Sequence, residues 1–248
     1  MDITNHRVLV TGGSAGIGLA IAREFLARGN QVAICGRRDD ALQHAAHANP
    51  GLVPIRCDVG NRADLKNLLV AVSEQMGGLS VLVNNAGVQY NYDFHGEPWI
   101  SLIERIDAEI AINLLGVART TALFLPLLQR EPRAAIVNVS SGLAIVPKKS
   151  APIYCATKAA VHSFSKSLRW QMEDSGSQVK VFEVLPPLVD TAMTAGRGTG
   201  KLSPQQVATA VMRGLEADRP EISIGKTRVL RAVNRILPPL ADRIMRNA

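Results

Sequence analysis

Tyr154 and Lys158 stand four positions apart, in the run Tyr-Cys-Ala-Thr-Lys, at the head of an apolar, helix-forming segment. In a helix that spacing is about one turn, so both side chains leave one face and reach the same ligand. The chemistry it permits is proton transfer. A free phenol has a pKa of about 10, but an ammonium roughly 4 Å away in a partly shielded site stabilises the phenolate by up to about 4 kcal/mol, or about three pK units. On this expectation the lysine makes the tyrosine acidic enough to exchange a proton near neutral pH. Unrelated Tyr and Lys residues share this spacing on many surface helices, so the weight rests on context. Thirteen residues before the Tyr, Ile136-Val-Asn-Val-Ser-Ser141 reads as a buried strand that ends in hydroxyls.

The context begins near the N-terminus. Val8-Leu-Val-Thr11 is a strand-like run, followed at once by Gly12-Gly-Ser-Ala-Gly16-Ile-Gly18 and by Leu19 to Ala27 with helical periodicity. Strand, glycine turn and helix together aim bare backbone N–H groups and a helix N-terminus at a phosphate. A Walker loop is excluded, since it needs Lys after the last glycine and position 19 is Leu; Gly225-Lys226-Thr227 fails because Pro220 stands where the first glycine belongs. After a second strand, Gln31 to Gly36, the acid that would hold ribose hydroxyls is missing and Arg37-Arg38 follows. Guanidinium groups there suit a 2′-phosphate, which favours NADP(H) over NAD(H). The plainer alternative is that both arginines start a solvated helix with Asp39 and Asp40.

The chain of 248 residues, 47% apolar and 20% charged, can bury a full core and suits one α/β domain. No signal peptide is evident, and no uncharged apolar stretch nears the eighteen or so residues that cross a bilayer. Cys35, Cys57 and Cys155 lack CxxC spacing, which fits a reducing compartment; the expected location is cytoplasmic. No metal site is expected, because His44 and His47 have no third ligand. Of the net charge of +7, a surplus of 5 comes from residues 225–248, where Lys226, Arg228, Arg231, Arg235, Arg243 and Arg246 face only Asp242. The remainder is near neutral, so no nucleic-acid partner is expected.

Further strands are expected at Val53 to Cys57, Val81 to Asn84, Ala135 to Ser140, Val179 to Leu185 and Glu221 to Ile224. Helices are expected at Asp39 to Ala48, Arg62 to Met76, Trp99 to about Gln129, and from Tyr154 to about Met172. Ser203 and Pro204 mark the start of another, through Ala217. Asp58 either accepts a bond from an exocyclic amine such as that of adenine or caps the helix from Arg62. Asn84-Asn-Ala-Gly87 closes its strand on groups that bond nearby backbone and let a ligand pass close. Asn113, in an apolar stretch, must find partners such as a water or a carbonyl. The alternation implies a Rossmann-type doubly wound parallel sheet of about seven strands, in three layers with helices on both faces. The expected organisation is a single dinucleotide-binding catalytic domain, 1–248, with residues 188–203 as a mobile lid and 225–248 as a basic amphipathic tail.

At this point the chain resembles the short-chain dehydrogenase/reductase family, from about residue 6 to at least 224. The resemblance is carried by Thr11-Gly-Gly-Ser-Ala-Gly-Ile-Gly18, Asn84-Asn-Ala-Gly87, Ser141 and Tyr154-x-x-x-Lys158, in the family's order and separations. It implies that Tyr154 is the general acid in reduction and base in oxidation, and that Ser141, chosen over Ser140 by the thirteen-residue step, holds the substrate oxygen. Lys158 would bind the nicotinamide ribose and depress the Tyr pKa, and Asn113 would hold a water in the proton relay. Gly12, Ser14, Gly16, Ile17 and Gly18 would line the phosphates and ribose, Asp58 and Val59 would meet the adenine, and Asn85, Ala86 and Gly87 would border the cleft. Pro186, Val189 and Thr191 would hold the carboxamide end. The family's usual Pro-Gly is Pro186-Pro187 here, and Ala15 stands where many NADP-using relatives carry a base, which leaves Arg37, with Arg38, for the 2′-phosphate. A homodimer or homotetramer is implied.

The expected substrate wall comprises Val88, Gln89, Tyr90, Leu143 to Val146, Pro152, Pro187, Leu188 and the lid, with Ser141 at its base. Being mainly apolar, it favours a hydrophobic ketone or aldehyde. Lys148, Lys149, Arg197 and Lys201 near the mouth could attract an anionic handle, though solvated loop charges are the plainer reading. In the tail, Val229, Ala232, Val233, Ile236 and Leu237 share a helical face opposite Arg228, Arg231 and Arg235. That face can pack on the cleft or on another subunit, the favoured reading, or lie on an anionic membrane surface. The alternative function is a non-catalytic NADP-binding sensor or scaffold acting through partners.

Overall fold

The computed structural model describes residues 1–247. Among them seven strands, β1 (Arg7–Thr11), β2 (Gln31–Gly36), β3 (Leu52–Arg56), β4 (Val81–Asn84), β5 (Ala134–Val139), β6 (Val179–Leu185) and β7 (Glu221–Ser223), form one parallel sheet. The order across it is β3-β2-β1-β4-β5-β6-β7. Strands buried on both faces read as nearly continuous β-branched runs, and alternate side chains divide between two cores. Val8 and Val10 pack with Ile21 and Phe25 of α1 (Gly16–Leu26), Leu42 of α2 (Asp39–Ala48) and Val207 and Val211 of α7 (Pro204–Glu216). Leu9, between them, joins Leu68 of α3 (Arg62–Met76), Phe124 of α5 (Val117–Leu128) and Leu168 of α6 (Pro152–Asp174) on the other face. The expected doubly wound, three-layer α/β architecture is therefore the one observed. The order reverses between β1 and β4, which opens a crevice at their carboxyl ends, where such sheets hold ligands.

Local signals set several boundaries. Ser203 caps α7 in a reciprocal box with Gln206, and Pro204 occupies the first turn. Of the two readings open for Asp58, the helix cap does not hold. Asn61 caps α3, accepting from Ala63 and Asp64 N–H at 2.8 and 3.3 Å, because it directly precedes the first helical residue.

The long helix expected from Trp99 is also not uniform. It runs as α4 (Trp99–Ile110), widens into a π turn over Ala111–Gly116, and resumes as α5. The π turn contains Asn113; an extra residue in a turn re-aims side chains and is common at functional positions. By length and composition Trp99–Leu128 is apolar enough to cross a membrane, although Glu104, Arg105, Asp107, Glu109 and Arg119 lie within it; in this fold Phe124 and Leu128 are buried.

Two segments carry more structure than their composition reveals. The lid (188–203) is not a featureless loop: Val189 bridges Leu202, Asp190 N–H donates to Leu202 O at 2.8 Å, and Ala192–Thr194 forms a short 3-10 turn. Its ends are tied together by backbone bonds that glycine-rich composition does not reveal. The tail folds into α8 (Lys226–Ile236) and α9 (Pro238–Met245), separated at Pro238-Pro239. The apolar face is not packed within the chain, since Val229, Ile236, Leu237, Leu240 and Ile244 are all exposed. Only Thr227 and Ala241 are buried in the two helices.

Candidate active site

Backbone builds one wall of the crevice. At the end of β1, Thr11 Oγ1 accepts the N–H groups of Asn85 and Ala86 at 3.0 and 3.1 Å, while Asn85 Nδ2 donates to Thr11 O and Gly12 O at 2.9 and 3.2 Å. These bonds draw the glycine turn against the end of β4. A Cβ on Gly12 would lie 2.9 Å from Ala86 Cα, and one on Gly18 would lie 2.4 Å from Gly12 O, so no side chain fits at either position. The turn enters α1 with Ala15 as N-cap, without a side-chain bond and without an acid in the first turn. The unbonded N–H groups and the positive end of the helix dipole are thus free for an anion. Ser14 and Ile17 are partly buried on this turn, and the closest approach to Gly16 is made by Thr191 Cγ2, 3.1 Å from where its Cβ would be.

At the far end of this wall, Arg37 and Arg38 are exposed directly after β2, and neither forms an ion pair with Asp39 or Asp40. Gly36 faces Ser14, whose Oγ is 3.7 Å from a Cβ built there. Asp58 accepts Gly60 N–H at 2.9 Å and its own N–H donates to Asp64 at 2.9 Å, which holds the turn after β3; Val59 is buried beside Gly116. Glycine turn, unbonded helix N-terminus and the two exposed arginines line one wall of the crevice.

Side chains converge where this wall meets β5 and α6. A Cβ on Gly87 would lie 3.3 Å from Asn113 Oδ1 and 3.7 Å from Lys158 Nζ, so the end of β4 faces both residues. Asn113 uses its whole amide, accepting Val88 N–H at 2.9 Å and donating to Val88 O at 2.8 Å and Thr157 Oγ1 at 3.3 Å. Lys158 is buried and donates to Val139 O at 2.8 Å, with Nζ 5.7 Å from the centroid of the Tyr154 ring. Ser140 turns its hydroxyl to Lys158 O at 3.2 Å, whereas Ser141 accepts Leu143 N–H at 3.1 Å and lies close enough to Tyr154 to act on its phenol.

The protonation of this group departs from expectation. The Tyr154 phenol is pushed up to about 12, chiefly by desolvation; the Ser141 hydrogen bond and the Arg197 charge work in the opposite direction. The Lys158 ammonium is held by Val139 O beneath the ring, and burial brings its own pKa down to about 8 despite the attraction of Glu183 and Glu109. For Tyr154 the direction is opposite to the one the spacing alone suggests, because desolvation outweighs the Ser141 hydrogen bond and the Arg197 charge.

The substrate side hangs on side chains. Gln89 Oε1 accepts Arg197 Nη1 at 2.8 Å, and Tyr90 N–H donates to Glu109 Oε1 at 3.3 Å. Leu188 lies under the lid, 2.6 Å from a Cβ built on Gly198, and Pro187 abuts Gly225. Pro186 O accepts Gly142 N–H at 3.0 Å, and Val189 is buried at the base of the lid. Leu143 lines a cavity of about 890 Å³ between residues 143–149, the outer face of α6 and α9, on the side of α6 that carries Cys155 and Ala159.

Sequence reasoning missed Glu109. It is fully buried, takes the Tyr92 phenol on Oε2 at 2.7 Å, and is held above the ordinary carboxylate range by desolvation. The available signal was an acid one helical turn before Asn113 in an otherwise apolar stretch.

Residues 6–201 match the family model described as short chain dehydrogenase. The chain is 39% identical over 241 residues to the uncharacterised oxidoreductase DltE of Bacillus subtilis (strain 168), an alignment covering 95% of this chain and 94% of that protein. A short chain dehydrogenase/reductase from Burkholderia phymatum, solved in complex with NAD, superposes with a TM-score of 0.87 at 24% identity, covering 100% of this chain and 97% of the other. A short chain dehydrogenase from Burkholderia cenocepacia J2315, solved in complex with NADP, gives 0.86 at 24% identity, with 99% of each chain covered.

Proposed function

The chain belongs to the short-chain dehydrogenase family of oxidoreductases, which bind a nicotinamide cofactor and act on small molecules, and we propose that it is an NADP(H)-dependent carbonyl reductase or alcohol dehydrogenase. The observation that carries this reading is the convergence of Ser141, Tyr154, Lys158 and Asn113 beside Gly87, at the carboxyl ends of β4 and β5. Bound along the glycine wall, NADP(H) supplies the hydride exchanged with the carbonyl carbon. Tyr154 Oη gives its proton to the carbonyl oxygen in reduction and takes one from the alcohol in oxidation. Tyr154 carries its proton at neutral pH, the form that reduction requires. Ser141 Oγ orients the same oxygen, Lys158 supplies positive charge beneath the ring, and Asn113 fixes the backbone of Val88. Free guanidinium groups at Arg37 and Arg38, with no acid at the end of β2, support NADP(H) over NAD(H).

Tyr154→Phe is expected to lower NADPH-dependent carbonyl reduction by about 10²- to 10⁴-fold, the usual worth of a general acid, while fluorescence titration shows NADPH binding changed by only a few-fold. Undiminished turnover would overturn the assignment. Arg37→Ala is expected to raise KM for NADPH about tenfold or more, the worth of a charged hydrogen bond, and to leave KM for NADH in place. Equal use of NADH and NADPH by the unaltered protein would overturn the cofactor preference.

A further inference from the structure

Arg197 differs from its neighbours in the lid. Ala195, Gly196, Gly198, Thr199 and Gly200 are exposed, whereas Arg197 is half-buried. Gly196 and Gly198 hold φ of 72° and 53°, values that other residues adopt only with strain. The chain therefore turns on both sides of Arg197 and directs that one side chain inward, onto Gln89 Oε1. With its oxygen committed to the guanidinium, the Gln89 amide presents Nε2 buried and without a hydrogen-bond partner. An unmet buried donor costs roughly 1–3 kcal/mol, so this amide is poised for an acceptor.

Lys148, on the segment between β5 and α6, lines the cavity on the side of α6 that carries Cys155. It is half-buried, and desolvation together with the Arg197 charge holds its pKa down; the same guanidinium acts on the Tyr154 phenol. Neither Arg197 nor Lys148 meets a carboxylate among the described residues, while Lys201 of the same lid reaches Asp190 at 3.5 Å. The Arg197 guanidinium and a free N–H thus stand side by side on the substrate side of the crevice. A guanidinium edge and an amide N–H side by side match the two oxygens of a planar carboxylate.

We infer that the substrate is an oxo acid, a carbonyl compound on an apolar chain whose carboxylate is held by Arg197 and Gln89 Nε2 while its carbonyl faces Tyr154. This rests on the redox reading given above and narrows the neutral ketone or aldehyde expected from the sequence.

The test compares 4-oxononanoate with its methyl ester in NADPH oxidation. The unaltered protein is expected to favour the acid at least about tenfold in kcat/KM, roughly the worth of one charge-assisted contact. In Arg197→Ala that preference collapses toward unity, and Arg197→Lys, which keeps the charge without the fork, falls between. An ester used as well as the acid, or a preference that survives Arg197→Ala, overturns the inference. If neither compound is reduced, the redox reading is what fails, and the anion site is read by calorimetry with nonanoate. Saturable binding that Arg197→Ala abolishes upholds the site; absent or undiminished binding overturns it.

Discussion

The two walls of the crevice are made of different material. On the glycine side, positions are set by backbone contact: Thr11 Oγ1 and the Asn85 amide lace β1 to β4, and neither Gly12 nor Gly18 has room for a methyl group. On the opposite side, residues 88–92 hang from individual side chains, with Val88 on Asn113, Gln89 on Arg197, and Tyr90 and Tyr92 on Glu109. Backbone contact is indifferent to most substitutions except those that add volume, so it suits a ligand of constant shape. Side-chain hooks can be exchanged one at a time while the sheet stays intact. On the function proposed above, the backbone wall takes the cofactor and the side-chain wall takes the substrate.

The largest expected effect strikes the backbone wall. Gly18→Ala puts a Cβ 2.4 Å from both Asn85 Nδ2 and Gly12 O, and the latter cannot rotate away. Overpacking of this kind costs about 1–3 kcal/mol, so urea unfolding should show that loss together with failed NADPH binding. A fully stable, NADPH-binding variant would break the comparison, because the wall would then be yielding.

Next comes Lys158, at the seam between the walls. With its folded pKa lowered to about 8, it is an ammonium below that pH and a neutral amine above. The pH profile of kcat/KM for NADPH, which reports ionisations of the free protein, should therefore carry a falling limb centred near pH 8. A profile flat to pH 10 would show that the buried amine is not needed as a cation.

The smallest effect tests one hook. Glu109→Gln replaces a charge-assisted bond to Tyr92 with a neutral one, a difference of about 1 kcal/mol. KM for the carbonyl substrate should rise a few-fold with KM for NADPH unmoved; equal changes in both would mean that the walls are not independent.

Much of this division was legible before any coordinates. The Gly12 to Gly18 turn, the Ser203-Pro204 helix start and the Tyr154/Lys158 spacing each depend on residues close in the chain, and the sheet assembled as the alternation of segments required. Other features depended on neighbours far away in sequence. Asp58 and Asn61 are both competent caps, and only the point at which α3 begins selected Asn61. The π turn at Asn113 has no composition of its own. The tail's amphipathic pattern was readable, yet it could not say that Val229 and Ile236 would stay uncovered.

By itself, then, the sequence determined the alternation of strands and helices, the phosphate-ready turn and the identity of the reactive side chains, because periodicity, steric freedom and functional-group type are local properties. Only the tertiary structure decided which charges are neutralised and which protons are held. Desolvation and Coulomb interaction depend on what surrounds a group in space, and that is why Tyr154 keeps its proton, Lys158 is weakened as a cation, and Arg197 is turned inward without a carboxylate.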